Sequence, residues 1–401
     1  MSIIVKVALE ELYIIVAVFH CLCHSREDII FRRRDVKESD MWKQTDEEIL
    51  QQIPEKLLAW YDENARILPW REDPQPYRVW VSEIMLQQTR VEAVKPYFER
   101  FLKALPTVAD LAEAPEEQIL KLWEGLGYYN RARNLQRGAQ AVMAEHGGVI
   151  PASFELLKKL PGIGDYTAGA ISSIAFQIKV PAVDGNVLRV ISRVLWRTDN
   201  ILDVKVKRRM EGEIRGILPE RVGDFNQSLM ELGATVCLPN GAPKCDECPL
   251  QELCRAHLKG EEESLPVKAK PKKRKIEDRT VFLLVCDGKI ALRKRPEKGL
   301  LAGLWELPSQ EGTLEEPEAE KLLESWEIQM EQPLQKEKNA KHIFSHVEWH
   351  MSCWSGTVEA ESDDSGLIWA SAEELDENFT LPSAFKAYRP VIKRLLESLQ
   401  E

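Results

Sequence analysis

LPGIGDYTAGA, Leu160 to Ala170, is the stretch of this 401-residue chain whose reading decides the fold. An amphipathic segment, Phe154 to Lys159, runs into it, and a second helical pattern runs out of it. Gly162 and Gly164 permit a tight turn between the two and leave successive N–H groups exposed at a helix start. Such a start holds a phosphate oxygen through unpaired N–H groups and the positive end of the helix dipole. A plain helix–helix turn has the same spelling, so the stretch alone leaves both readings open.

Outward from it the pattern stays helical, from Glu47 to about Leu258. Apolar residues recur every three or four positions, as in Ile49, Leu50, Ile53, Leu57, Trp60 and Tyr61. Pro and Gly punctuate the pattern, which predicts a bundle of about ten helices and no sheet. PVKAKPKKRK, Pro266 to Lys275, then carries six basic residues and two prolines. It reads as an exposed linker, either a solvated charge run or a tether along phosphates. From Thr280 the period becomes strand-like. VFLLVCDGKIALRKR, Val281 to Arg295, sets Asp287-Gly288 between two β-rich runs, a hairpin signal. HIFSHVEWHMSCWSGTV, His342 to Val358, reads as further strands, and Ala384 to Leu399 as a closing helix. This last segment is therefore α+β.

Composition narrows the class. Hydrophobic residues at 44%, with 11 Trp, support well-formed cores in a folded chain. A net charge of −11 argues globally against nucleic acid, but a DNA footprint is local and an acidic domain elsewhere masks it. Of eight cysteines, Cys237, Cys245, Cys248 and Cys254 crowd into eighteen residues, which predicts a reducing compartment and one metal site. At the amino end, Leu12 to Cys23 is apolar but too short to span a bilayer, and Glu10 and Glu11 precede it where a signal peptide has basic residues. No membrane association is expected. Met41 opens what reads as an amino terminus of its own, so residues 1–40 are expected to be an over-extended start or a dispensable tail.

Single residues carry two readings each. Asp184, in Val183-Asp184-Gly185-Asn186, opens a helix and has the spelling of an N-cap. Glu83 is one carboxylate in a helix, for which solvent exposure is the plain reading. Val79, Trp80, Ile84 and Leu86 flank it, so burial and a raised pKa are expected. Tyr128 and Tyr129 on a helix suit a core, and Arg131, Arg133 and Arg137 beyond them are expected to face phosphates. The four clustered cysteines, separated by seven, two and five residues, suit tetrahedral zinc or an iron–sulfur cluster. Zinc ribbons usually pair two C-x-x-C knuckles, and this cluster has one.

Taken in order, these stretches resemble the MutY-type, adenine-specific branch of the helix-hairpin-helix, endonuclease III-like DNA glycosylases over about residues 42–395. The resemblance is carried by LPWR (Leu68–Arg71), PYRVWVSEIMLQQTRVEAV (Pro76–Val94), WEGLGYYNRARNL (Trp123–Leu135), the hairpin, the Asp184 segment and the cysteines. In the last segment KRPEKGLLAGLWELP (Lys294–Pro308) and Phe344-Ser345-His346 carry it. It implies a multidomain chain: an all-α helix-hairpin-helix glycosylase core with an iron–sulfur loop, plus an α+β Nudix-like C-terminal domain. The expected domains are a 1–41 extension, a 42–258 helical glycosylase domain with its iron–sulfur module at 237–254, a 259–278 basic linker, and a 279–401 lesion-recognition domain. The resemblance further implies a 4Fe-4S cluster on Cys237, Cys245, Cys248 and Cys254. Its usual first gap has six residues where this chain has seven. The extra residue falls in the Pro/Gly-containing loop Leu238–Lys244, which is expected to absorb it.

The implied partner is double-stranded DNA with 8-oxoguanine·adenine or guanine·adenine mispairs, bound by a monomer. The compartment is bacterial cytoplasm, or nucleus or mitochondrion in a eukaryote. Glu83 is implied as the acid that protonates adenine N7, and Asp184 as the ionised carboxylate that steadies positive charge on the sugar. Tyr166 assists both. Gln87, Gln88 and Thr89, with Leu86 and Arg90 beside them, enter the helix or hold the estranged bases, and Tyr128 wedges beside 8-oxoguanine. Arg66, Trp70 and Arg71 line the same region. Gly162 and Gly164 meet backbone phosphate, Asn186 flanks Asp184, and Gln227 lies near the adenine edge. Phe344, Ser345 and His346 read the 8-oxoguanine face. Lyase relatives carry Lys where this chain has Tyr166, and a phenol forms no imine with an opened sugar, so no efficient β-lyase step is expected. Residues 309–330 lack the Arg of a magnesium-holding Nudix box. The alternative is an endonuclease III-like glycosylase/lyase acting on oxidised pyrimidines.

Overall fold

The computed structural model describes residues 43–269, 273–361 and 366–397. The expectation for residues 1–40 lies outside them, as do Lys270–Lys272 of the basic linker. The chain divides into two compact units: Met1–Arg66 with Ser172–Ala269, and Ile67–Ile171 with Lys270–Glu401. Among the described residues no helix is long and apolar enough to cross a membrane.

In the first unit, Thr45 starts the helix Asp46–Asn64 with a capping box: its Oγ1 accepts from the Glu48 N–H, while Glu48 Oε2 accepts from the Thr45 N–H at 2.6 Å. The periodic residues Ile49, Leu50, Ile53 and Leu57 are buried as their spacing predicts. They pack in one core with Val187 to Val194 of the helix Gly185–Val194 and with Phe225, Leu229 and Leu232 of Val222–Thr235. Cys254 closes the same core near the start of the short helix Arg255–Lys259.

The helical part of the second unit is built on Pro76–Leu86, where Tyr77, Val79, Trp80, Val81, Ile84 and Met85 are all buried. The helix Asn130–His146 comes so close to it that a Cβ on Gly138 would lie 2.6 Å from the Trp80 ring. Phe154–Leu157 is one turn, shorter than its spacing suggests, and leads into the predicted hairpin and then into Asp165–Phe176. Gly162 adopts φ +79 and a Cβ there would meet the Asn134 Cβ at 2.7 Å, so glycine is required. Gly164 is different: its φ is not left-handed and an added Cβ meets open space. From Asp46 to Lys259 the described residues form thirteen α-helices, two of them four residues long, and no strand.

The remainder is a seven-stranded mixed sheet. Its strands are β1 (Lys275–Cys286), β2 (Lys289–Lys294), β3 (Trp305–Glu306), β4 (Ser309–Glu311), β5 (Gln335–Ile343), β6 (Val347–Thr357) and β7 (Leu367–Ala370). The order is β3-β2-β1-β6-β5, with β4 on β1 and β7 on β2. Only β1–β6 is parallel. The predicted hairpin is present: Cys286 pairs with Lys289, and Asp287 and Gly288 take φ 45 and 72, the two left-handed residues of a tight turn that matches strand twist. Alternation along β1 separates two cores, one holding Val281, Leu283 and Val285, the other Phe282 and Leu284. The closing helix begins later than its pattern suggests. Ser383–Tyr388 is 3-10, and the α-helix Arg389–Glu397 starts at Arg389-Pro390, since Pro390 has no N–H to continue a ladder from the preceding turn.

Candidate active site and cysteine centre

Glu83 lies near the end of Pro76–Leu86 and is 5% exposed, with Val79, Trp80, Ile84 and Met85 buried around it on the same helix. Burial expected from the flanking residues is therefore found. Tyr166 stands one residue into the helix that leaves the hairpin, and its phenol donates to Glu83 Oε2 at 2.6 Å. The hairpin thus sets a donor on the buried acid from 83 positions away in sequence.

Beyond Glu83 the helix ends at Leu86, and Gln87, Gln88, Thr89 and Arg90 follow it, with Gln88 and Arg90 exposed. Gln88 takes φ 58 and Tyr128 takes φ 50, left-handed conformations that non-glycine residues seldom adopt. Tyr128, 49% exposed, is no core residue, and its phenol lies 3.0 Å from Ser345 Oγ. Phe344, Ser345 and His346 form the β5–β6 loop, and with Tyr128 they line a cleft of about 820 Å³. Arg131 does not face phosphate. Its guanidinium turns inward onto five main-chain carbonyls at 2.6–3.2 Å, two of which also accept from Trp123 Nε1 and Thr89 Oγ1. Arg133 is held by Glu116 at 2.7 Å, while Arg137 is exposed.

Asp184 is the N-cap of Gly185–Val194. Its Oδ1 accepts from Asn186 N–H at 2.9 Å and Val187 N–H at 2.8 Å, and Oδ2 accepts from Asn186 Nδ2 at 2.7 Å. Burial raises its pKa above the ordinary carboxylate value despite these donors. Asn186 Oδ1 in turn accepts from Arg189, whose Nε donates to the Cys237 carbonyl at 2.8 Å. A continuous chain of hydrogen bonds therefore runs from Asp184 to a cysteine of the cluster. Sequence reasoning missed Arg189 and Arg193, although two arginines within the otherwise apolar face of GNVLRVISRV were the signal. It also missed Asn226, which is fully buried and ties the segment before Asp184 by accepting from Ala182 N–H and donating to the Val180 carbonyl. Gln227 beside it is half-buried.

Two expectations at the start of the motif shift. Trp70 is buried, edge-to-face with Phe98 at 5.2 Å, as a core ring. Arg66 forms a two-pronged pair with buried Glu231, at 2.6 and 2.9 Å. Arg71 is half-buried.

Cys237, Cys245, Cys248 and Cys254 line one cavity. The loop Leu238–Lys244 closes on itself through Lys244 N–H to the Val236 carbonyl at 3.0 Å, with Gly241 left-handed at φ +72. Burial pushes the thiols up, Cys245 and Cys254 to about 12 and Cys248 to about 11. Thiols raised in this way are poor thiolates unless a cation offsets their charge, so a cavity lined by four cysteines suits a metal group. Arg193 Nη1 lies 3.2 Å from Cys237 Sγ. Cys245, His257 and Glu262 also place a sulfur, a nitrogen and an oxygen within 4.8 Å of one another.

Residues 81–215 match the model of the HhH-GPD superfamily base excision DNA repair protein, and residues 280–389 match the NUDIX domain. The adenine DNA glycosylase of Rattus norvegicus is 37% identical over 392 residues, covering 82% of this chain and 76% of the relative. That of Homo sapiens is 36% identical over 397 residues, covering 83% and 72%. That of Schizosaccharomyces pombe is 33% identical over 427 residues, covering 87% and 92%. With a helix-hairpin-helix core, a mixed-sheet carboxyl-terminal domain and this extent of identity, the chain belongs to the adenine DNA glycosylases, which hydrolyse N-glycosyl bonds in DNA.

Proposed function

We propose that the chain removes adenine paired with 8-oxoguanine or guanine in double-stranded DNA, as a monofunctional glycosylase, and that Glu83 is its general acid. The observation that carries this is the buried Glu83 carboxyl with the Tyr166 phenol bound to one oxygen. Adenine is a poor leaving group as an anion, so cleavage requires a proton on N7. Glu83 delivers it as the C1′–N9 bond breaks and the bonding electrons leave with the base. Tyr166 holds the carboxyl in one orientation. The positive charge left on the sugar is assigned to ionised Asp184, whose three hydrogen-bond donors favour the charged form against its burial. Water then adds to C1′, returning a proton and leaving an abasic site.

Gln88 and Tyr128 are assigned to the gap left by the flipped adenine, and Ser345 to the 8-oxoguanine face, supported by its place beside Tyr128. Gly162 supplies the turn through which the hairpin meets phosphate, and Gly164 puts no side chain into the open space beside it. Leu86, Gln87, Thr89, Arg90, Arg71, Gln227, Phe344 and His346 are assigned to contacts around these two bases. The four cysteines would hold a 4Fe-4S cluster, which supplies a structural clamp on the loop rather than a hydrolytic metal. Residues 42–258 are the glycosylase domain, and 279–401 read the lesion. The enzyme acts as a monomer where DNA is, in bacterial cytoplasm or in a eukaryotic nucleus or mitochondrion.

The test is single-turnover adenine release from a duplex with one 8-oxoguanine·adenine pair, with and without hot alkali. Free adenine with strand breaks only after alkali is expected, and Glu83→Gln should bind the duplex yet release none. Near-normal turnover by Glu83→Gln removes Glu83 from the mechanism. Breaks without alkali would mean that another amine serves as lyase nucleophile, and no abasic site under either condition would return the oxidised-pyrimidine alternative.

A further inference from the structure

Gln88 and Tyr128 are 40 residues apart, and both sit in the left-handed region, at φ 58 and φ 50. A glutamine and a tyrosine do not stay there unless the surroundings hold them. One side chain touches both segments. Arg131 Nη1 donates to the carbonyls of Ile84 at 2.8 Å, Met85 at 3.1 Å and Gln87 at 2.6 Å. Its Nη2 donates to the carbonyls of Leu126 at 3.2 Å and Gly127 at 3.1 Å. The Gln87 carbonyl belongs to the peptide that enters Gln88, and the Gly127 carbonyl to the peptide that enters Tyr128. Fixing those two oxygens fixes the peptide planes about which both φ angles are measured. The Ile84 and Met85 carbonyls are orphan acceptors in the last turn of the helix that carries Glu83, where a cation is favoured.

We propose that Arg131 is a positioning residue that sets Gln88, Tyr128 and the end of the Glu83 helix as one unit, so that both base-contacting residues are poised before DNA binds. This rests on the assignment of Gln88 and Tyr128 to the flipped-base gap made above. A guanidinium suits the role because its planar fork presents several donors at fixed angles, which one ammonium cannot reproduce. The Arg131 ring contacts agree: its guanidinium carbon lies 5.4 Å from the Trp123 ring centre and 5.5 Å from that of Tyr128. Burial lowers its pKa to about 10, which leaves it charged at neutral pH.

The experiment uses the full chain with its cluster. Arg131→Lys, Gln88→Ala, Tyr128→Ala and their pairwise combinations with Arg131→Lys are compared in single-turnover excision at saturating enzyme. The same set is read by fluorescence of a 2-aminopurine placed next to the mispair, and by affinity for undamaged duplex. Arg131→Lys should lose about tenfold or more in excision and lose the flipping signal, with undamaged-duplex affinity unchanged. Adding Gln88→Ala or Tyr128→Ala to it should cost far less than either costs alone. Wild-type excision by Arg131→Lys, or fully additive losses, overturns the proposal while leaving the base-gap assignment intact. Wild-type rates for Gln88→Ala and Tyr128→Ala overturn that assignment and the proposal with it. If Arg131→Lys does not fold, arginine 15N spectra of the wild type decide. Separate, slowly exchanging Nη resonances for Arg131 support the clamp, and a single averaged one rules it out.

Discussion

Tyr166 donates its phenolic hydrogen to Glu83 Oε2 at 2.6 Å, joining the first residue pair of the hairpin's second helix to a carboxyl buried on another helix. Removing that donor leaves a buried acceptor without one partner, a loss of about 1–3 kcal/mol in ordinary cases. Tyr166→Phe keeps the ring and its packing. Its single-turnover excision rate should fall by about tenfold, with duplex affinity nearly unchanged. A rate within twofold of wild type would show that the bond is structural only.

Asp184 provides a pH signature. Its pKa is raised by burial and restrained by the hydrogen bonds it accepts, including that from Asn186 Nδ2. Hydrogen bonds to the charged form lower a carboxyl pKa, so losing one raises it further. If ionised Asp184 supports excision, activity is full above its pKa and lost as pH falls through it. Asn186→Ala should therefore move the acid limb of the excision rate to higher pH, while the alkaline limb stays. An unmoved acid limb would favour Asp184 acting only as a helix cap.

Ser345 faces the cleft from the β5–β6 loop and shares a hydrogen bond with Tyr128. Ser345→Ala should leave excision opposite guanine nearly intact and reduce the preference for 8-oxoguanine by several-fold, about 1 kcal/mol for one lost hydrogen bond. The ratio of single-turnover rates on the two mispairs measures it, and an unchanged ratio would detach the loop from lesion reading.

What the sequence determined by itself was local. The three-and-four spacing of Ile49, Leu50, Ile53 and Leu57 marks a buried helix face, because side chains at those intervals share one side of a helix whatever it packs against. Asp287-Gly288 marks a hairpin, because only such residues tolerate two left-handed conformations in a row. The cap at Asp184, the glycine at 162 and the grouping of four cysteines are likewise readable within a few residues. The absence of a lysine at position 166 is a statement about chemistry that no fold can alter.

Tertiary structure decided where polar side chains point. Arg131 reads as surface charge and Trp70 as a possible base contact, yet the first caps carbonyls more than forty residues earlier and the second joins Phe98 in a core. Arg189, Arg193 and Asn226 are placed by the same kind of bond, from a side chain to a distant main-chain oxygen or N–H. Every residue carries the same carbonyl, so the partner of such a donor leaves no mark in the sequence of residue types. The physical demand that buried polar groups find partners is met only as the chain folds, and that demand sets Tyr166 on Glu83 and Arg131 on the carbonyls before Gln88 and Tyr128.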